Sequence, residues 1–173
     1  MTETGIRIAA GLERAFAEHG FAEPSVEDLR DAVGVSLRTL YKYTPSREAM
    51  VRTAVEYRNQ RYITQTFDNL PEDTNAALLT IIDRVADWMR REATHGCLVH
   101  AAVSASPHDL ELRAVLQRHK SEVAERVAEI TGQAGREVDL TVIMEGLMQS
   151  WPLYGEAAVE AARRLCLSMR ETA

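Results

Sequence analysis

Basic side chains are concentrated in one segment of an otherwise acidic chain. Residues 36–62 hold six Lys or Arg and two Glu, a net charge of +4, although the whole chain of 173 residues carries −6. Residues 1–62 are neutral overall, and residues 63–173 carry the entire excess of acid. Because phosphate groups bind where the local potential is positive, this segment is a candidate for contact with nucleic acid.

The segment opens with side chains suited to base and phosphate recognition. A guanidinium group can bond O6 and N7 of guanine together, which makes Arg38 the candidate base reader. Thr39 offers a methyl group to thymine, and Lys42 offers a charge to a base or a phosphate. The other candidates for DNA contact are Ser25, Ser36, Leu37, Tyr41, Tyr43 and Arg47. The alternative is that the charged members are ordinary surface residues and that Tyr43 is half-buried core.

Apolar spacing predicts the helices that precede this segment. Residues 6–19 form one amphipathic pattern, which Gly20 ends. Ser25, followed three residues later by Asp28, is typical of the start of a second helix of about two and a half turns. Capping alone would explain the presence of Ser25. We therefore weigh two interpretations equally: a cap alone, and a cap that also contacts a phosphate group of DNA.

A short turn joins the second helix to a third. Gly34 can take the left-handed conformation at a helix end, and Ser36 caps a helix over residues 37–43. Two short helices joined by a turn that contains Gly are typical of a helix-turn-helix. Ser46 is then expected to cap a fourth, long helix that starts near Arg47.

The rest of the chain is predicted to be helical as well. Apolar residues recur at helical spacing in five further segments after the fourth helix, and nothing suggests strands. Pro152 is expected to interrupt the eighth helix. The expected fold is therefore all-α with about nine helices, in which a helix-turn-helix domain, residues 1–46, is joined by the long helix to a helical body, residues 47–173.

Composition excludes several classes of protein. With 46% hydrophobic and 27% charged residues, the chain has enough apolar material to fold and is not of the disordered type. No apolar run approaches the ~20 residues that span a bilayer. The N-terminus resembles neither a signal peptide nor a transit peptide, and two cysteines are too few for a disulfide framework. We expect a cytoplasmic protein with no membrane partner.

The run Gly34-Val-Ser-Leu-Arg-Thr-Leu-Tyr-Lys-Tyr-Thr-Pro-Ser-Arg-Glu-Ala-Met50 closely resembles the TetR family of bacterial transcriptional regulators. Ala15-Phe-Ala-Glu-His-Gly-Phe21 and Ser25-Val26 precede it in the order the family uses. Beyond the start of the fourth helix the chain fits by helix count and by Gly96-Cys97-Leu98. It departs from the family where Thr44 replaces the usual Phe, Arg47 replaces Lys, and Leu37 occupies a position that is often polar.

The resemblance implies a homodimer with an N-terminal DNA-binding domain and a C-terminal all-α domain that binds a small-molecule inducer. We expect the eighth and ninth helices to form the dimer interface. The residues predicted to meet their symmetry mates there are Leu147, Trp151, Val159, Ala162, Leu165 and Cys166.

Apolar side chains of the body are candidates to line the inducer cavity, although most must be ordinary core. The candidate set is Tyr62, Phe67, Trp88, His100, Leu112, Leu116, Met144 and Met148. Walls of Met and Trp favour a flat, largely apolar ligand. The acids Asp83, Asp87 and Glu145 leave a cationic ligand open as the alternative.

His95, Cys97 and His100 have the spacing of a partial transition-metal site. No clear fourth ligand follows them, and a buried thiol with core histidines is the simpler explanation. Glu92 with His95 resembles half of a di-iron carboxylate site, but no other histidine has a Glu three residues before it. Nucleophile-elbow, P-loop and dinucleotide motifs are absent. No metal, cofactor or catalytic residue is therefore predicted.

These residues together predict a ligand-responsive transcriptional regulator rather than an enzyme. We expect a repressor that binds a palindromic operator in double-stranded DNA as a dimer and leaves it when an inducer binds. The alternative is a helical-bundle ligand-binding protein or enzyme that has kept a vestigial helix-turn-helix. Salt-dependent binding to a palindrome separates the two, because a helical-bundle enzyme should bind DNA no better than its net charge of −6 allows.

Overall fold

The computed structural model describes residues 1–93 and 96–171 of the chain. Within those ranges it contains nine α-helices and no β-strand: α1 Glu3–His19, α2 Val26–Val33, α3 Leu37–Tyr43, α4 Arg47–Phe67, α5 Thr74–Arg91, α6 Leu98–Ala105, α7 Leu110–Thr131, α8 Glu137–Tyr154 and α9 Glu156–Glu171. The all-α class predicted from the sequence is confirmed. None of the helices so described is both long enough and apolar enough to cross a membrane.

Side-chain caps set the start of α2. The backbone N–H of Ser25 donates to Oδ2 of Asp28 at 2.9 Å, and the N–H of Asp28 donates to Oγ of Ser25 at 3.2 Å. This reciprocal pair satisfies two of the N–H groups that a helix start leaves without a partner. The predicted capping of the second helix is confirmed.

The turn between α2 and α3 depends on Gly34. Its φ of 66° and ψ of 41° lie in the left-handed region, where a side chain would be strained. Ser36 follows, and its Oγ accepts a hydrogen bond from the N–H of Thr39 at 3.1 Å. The two residues end one helix and begin the next, so the predicted helix-turn-helix is present.

The helix-turn-helix has its own apolar core. Fully buried side chains at its centre include Ile8, Leu12, Phe16, Leu29 and Leu40. A Cβ atom added at Gly11 would lie 2.7 Å from Cγ1 of Val33, so α1 and α2 approach too closely there for any larger residue. Burial of this core fixes the short helix α3, which could not be stable alone.

The chain divides into two compact units. Unit 1 comprises Met1–Arg61 and Leu98–Leu116, and unit 2 comprises Tyr62–Cys97 and Gln117–Ala173. Both α4 and α7 supply residues to each unit. These units are defined by packing within the chain. The predicted domains, residues 1–46 and 47–173, were divided by function instead, and that division stays a prediction.

Unit 2 is held by one apolar core to which α5, α8 and α9 contribute. Its fully buried members include Ile81, Ile82, Val85, Met89 and Leu140. Pro152 lies inside α8, which continues to Tyr154, so the predicted interruption of this helix is wrong. Proline removes one backbone donor, and near the end of a helix that loss affects a single hydrogen bond.

Candidate functional site

One face of α3 is basic and open to solvent. Arg38 and Lys42 are exposed, and Tyr41 retains 44% of its accessible surface. These three positions are spaced by three and four residues, so they share one side of the helix. Leu40 occupies the opposite side and is fully buried. The helix thus presents its charges outward because its apolar residue is anchored in the core.

The charges of this face are not neutralised by any residue that the structure describes. Across residues 1–93 and 96–171, no ion pair engages Arg38 or Lys42. Both remain available for phosphate oxygens or base edges, which are the usual acceptors of arginine and lysine in DNA complexes.

The hydroxyl groups at the edges of α2 and α3 are already used for capping. Oγ of Ser36 accepts from Thr39 and also lies 2.9 Å from Oγ1 of Thr39. Hydrogen bonds from Ser25 hold the pKa of Asp28 below its ordinary value. Ser25 therefore has the capping role that was predicted from the sequence. A contact between any of these hydroxyl groups and a phosphate group stays a prediction.

Arg47 takes part in the packing of the helix-turn-helix. Its Nη2 donates to the backbone oxygen of Phe21 at 2.8 Å, and its Cζ lies 5.9 Å from the centre of the Phe16 ring. Replacing Arg47 would disturb this contact as well as any contact with DNA. Arg38 is consequently the cleaner residue with which to test base recognition.

Three other residues that the sequence singled out lie around α3. Tyr43 is 38% exposed, and its Oη is 3.2 Å from Oγ1 of Thr2 at the start of α1. Thr44 is buried, and its hydroxyl donates to the backbone oxygen of Leu40 at 2.9 Å. Leu37 is half-buried in the first turn of α3. Thr44 thus fills its site with a satisfied hydrogen bond.

The residues predicted to line an inducer cavity fall in both units. Tyr62, Trp88, Met144 and Met148 belong to the core of unit 2, and Phe67 packs against them. The other three, His100, Leu112 and Leu116, belong to unit 1. Helical spacing predicted that these side chains face inward, but it carries no information on which unit each would join.

Polar residues inside unit 2 were missed as candidates. His119 is only 6% exposed and occupies an apolar position in the pattern of α7. Lys120 follows it and forms an ion pair with Glu145, with 2.6 Å between Nζ and Oε1. A histidine on the apolar face of a helix is the signal that could have marked this place.

The acids that left a cationic ligand open are paired with cations of the chain. Asp83 contacts Arg163, Asp87 contacts Arg90, and Glu145 contacts Lys120. Each of the three carboxylates thus has a cation of the chain beside it, and the class of ligand stays a prediction.

The predicted dimer residues are mostly in the core of their own chain. Leu165 is 56% exposed and Trp151 is half-buried. The other four are buried within unit 2: Leu147, Val159, Ala162 and Cys166. Their assignment as partner-facing side chains stays a prediction, because apolar spacing cannot distinguish a helix face that meets its own core from one that meets a partner.

An apolar groove lies between α8 and α9, and two of those four residues, Leu147 and Ala162, line it. Its exposed walls are Val142, Gly146, Tyr154, Ala157 and Leu165. Val142 and Tyr154 each retain 66% of their accessible surface, which is a large apolar area for the surface of a single chain. We name these five residues the α8–α9 face.

Only part of the spacing that resembles a metal site lies within the described residues. His95 lies outside the described residues, so its part in the predicted His95, Cys97 and His100 spacing is not addressed. No group of three His, Cys, Asp or Glu that could hold a metal ion occurs in the part of the chain that the structure describes. Cys97 is half-buried, and its Sγ lies 3.7 Å from Nζ of Lys120.

The nine helices and the basic, solvent-facing α3 define an all-α helix-turn-helix protein. Residues 8–54 match the sequence model described as bacterial regulatory proteins, tetR family. Residues 8–54 thus carry the N-terminal domain of the TetR family, and the comparisons support a TetR-family transcriptional regulator.

Other known proteins resemble this chain over most of its length. The HTH-type transcriptional regulator EthR of Mycobacterium tuberculosis (strain CDC 1551 / Oshkosh) is 25% identical over 160 residues, which cover 91% of this chain. The chain spans 61% of the length of that relative.

Two crystal structures share the fold over nearly the whole chain. A TetR-family transcriptional regulator from Streptomyces coelicolor superposes with a TM-score of 0.79 at 16% identity, covering 95% of this chain and 86% of its own. A putative TetR-family regulator from Rhodococcus sp. gives a TM-score of 0.72 at 19% identity, covering 95% and 97%. At such identities the likeness concerns the fold alone.

Proposed function

We propose that this protein is a transcriptional regulator that binds a palindromic DNA operator as a homodimer and represses until a small-molecule inducer releases it. The observation that carries the proposal is the exposed basic face of α3, where Arg38 and Lys42 have no ion-pair partner among the described residues. In a helix-turn-helix the second helix enters the major groove and its first residues meet base edges. Its place of action is then the bacterial cytoplasm, where the DNA lies.

Dimer formation through the α8–α9 face is part of the proposal. A single α3 of seven residues makes too few contacts for tight binding, whereas two copies can read two half-sites about 34–36 Å apart or a multiple of that. The exposed apolar walls at Val142, Tyr154 and Leu165 favour a second copy of the same face as their cover.

Release is proposed to pass through α4. This helix starts beside α3 at Arg47 and continues without a break to Phe67, so its residues belong first to unit 1 and then to unit 2. A ligand that prefers the state with low operator affinity needs ~10⁴-fold differential affinity, about 5.5 kcal/mol, to move the populations from 1:99 to 99:1. Operator DNA must weaken ligand binding by the same factor.

Selection of DNA from a random duplex library by the purified protein tests the proposal. The expected product is a palindrome whose binding constant falls steeply with salt, since each neutralised phosphate releases counterions. Recovery of no common sequence, or binding to the palindrome no tighter than to random duplex, would contradict the regulator and favour a helical-bundle protein with a vestigial helix-turn-helix.

A further inference from the structure

A pair of hydroxyl groups joins the start of α1 to the end of α3. Oγ1 of Thr2 lies 3.2 Å from Oη of Tyr43, and the two residues are 41 positions apart in the chain. Thr2 is the N-cap of α1, and Tyr43 is the last residue of α3. The pair therefore ties the end of the candidate recognition helix to another helix of unit 1.

The ring of Tyr43 also lies against the first turn of α1. A Cβ atom added at Gly5 would lie 3.5 Å from Cε1 and 3.6 Å from Cδ1 of Tyr43, which is van der Waals contact. The side chain is thus held by its ring and by its oxygen. It nevertheless retains 38% of its accessible surface, so it stays open to a partner from solvent.

The hydrogen bonds of this pair leave one donor for such a partner. Oγ1 of Thr2 accepts from the backbone N–H of Gly5 at 3.1 Å. Either hydroxyl group can donate to the other, and each carries one proton. When Thr2 donates to Tyr43, the proton of Tyr43 is left for an acceptor outside the protein. The phosphate oxygens of DNA are acceptors of this kind.

We propose that Thr2 is a positioning residue for DNA binding: its hydroxyl group holds Tyr43 in the orientation in which Tyr43 donates to a backbone phosphate. A side chain that is fixed before DNA arrives loses less conformational entropy on binding. Phosphate contacts place a protein on the duplex without reading bases, so Thr2 acts on affinity and leaves sequence preference unchanged. The inference rests on the proposed function.

Titration of the selected palindrome with Thr2→Val and Thr2→Ser tests the proposal. Valine keeps the shape of threonine without its oxygen, whereas serine keeps the oxygen. We expect Thr2→Val to lose about tenfold in affinity, about threefold for each half-site, with the same loss on a duplex altered at one symmetric base pair. Thr2→Ser should bind as the wild type does. Thr4→Val, in the same helical turn, is the matched control and should also bind as the wild type does.

A double variant separates positioning from capping, because Thr2→Val also removes the cap of α1. Tyr43→Phe removes Oη and leaves the ring. If Thr2 acts through Tyr43, then Thr2→Val should cause no further loss of DNA affinity once Tyr43→Phe is present. A role in capping alone would weaken binding by the same factor with tyrosine or phenylalanine at this position.

The position of the ring in the free protein gives a second measurement. Nuclear Overhauser contacts between the Hα protons of Gly5 and the ring of Tyr43 report it without DNA. We expect these contacts in the wild type and in Thr2→Ser, and we expect them to weaken in Thr2→Val as the ring becomes mobile. Contacts of full strength in Thr2→Val would show that the hydroxyl group does not hold the ring.

Three results on DNA would overturn the inference and leave the regulator standing. They are an unchanged affinity of Thr2→Val, equal losses from Thr2→Val with and without Tyr43→Phe, and a loss on the palindrome that is absent on the altered duplex. In each of them the wild type still binds its palindrome. A wild-type protein that binds no duplex contradicts the proposed function itself, and the role of Thr2 in DNA binding with it.

Discussion

At the scale of single residues, His119 makes the stability of the folded protein depend on pH. Burial and the neighbouring Lys120 lower its pKa from 6.5 to about 4, whereas Glu145 acts in the opposite direction. The unfolded chain therefore takes up a proton between these two pH values that the folded chain does not. Stability from the neutral ring is fully present above about pH 6.5 and is lost as the pH falls toward 4.

We predict that His119→Gln weakens this pH dependence. Between about pH 7 and about pH 5 the wild-type protein should lose 1–3 kcal/mol more of its free energy of unfolding than the variant, an order-of-magnitude figure from the linkage of protons to folding. Urea unfolding at the two pH values measures the difference. His108→Gln, at an exposed position, is the control and should behave as the wild type does. Parallel losses in wild type and His119→Gln would refute the prediction.

At the scale of elements, α4 is the helix on which the proposed release of the operator depends. The middle of this helix is tied to α1, because Arg58 and Arg61 both pair with the buried carboxylate of Glu13. Arg58 is therefore a poor place for a test that is meant to change stiffness alone. Gln60 and Thr64 are exposed on the same helix, on either side of the boundary between the units.

We predict that glycine at both Gln60 and Thr64 uncouples the inducer from the operator. Each substitution costs about 1 kcal/mol of helix stability, which makes α4 prone to break there without removing a core side chain. Operator affinity and inducer affinity, measured separately, should stay within a few-fold of the wild type. An inducer chosen for releasing the wild-type protein should no longer release the variant. Alanine at both positions is the control, and full release of the glycine variant would contradict transmission through α4.

The elements also differ in how far their sequence predicted them. The ends of α2 and α3 could be predicted because their caps depend on residues three positions apart, as Ser25 with Asp28 and Ser36 with Thr39. The membership of α6 in unit 1 could not, since an apolar helix face does not specify its neighbour. The buried position of Leu147 within its own chain was missed for the same reason. The exposed basic face of α3 could be predicted from residue spacing alone. Burial of Leu40 fixes one side of the helix, and the basic residues then lie on the other side.

At the scale of the whole molecule, the α8–α9 face is the surface through which we propose that two copies associate. We predict that Leu165→Glu converts dimers to monomers, because a carboxylate would be buried in an apolar contact without a partner. Light scattering at micromolar concentration measures the mass of each form. Leu110→Glu is the control, since Leu110 is 75% exposed on α7 and lies outside this face. A wild-type monomer, or a dimeric Leu165→Glu protein, would contradict the assigned interface.

The account as a whole depends on α3 reading DNA. The most direct measurement is a titration of the selected palindrome, and of the same duplex altered at one symmetric base pair, with wild type, Arg38→Ala and Arg113→Ala. Arg113 is an exposed arginine on α7 and controls for loss of charge. We predict that Arg38→Ala loses about 1–3 kcal/mol of affinity for the palindrome and no longer distinguishes the altered duplex, whereas Arg113→Ala behaves as the wild type. Undiminished affinity and discrimination in Arg38→Ala would contradict the account.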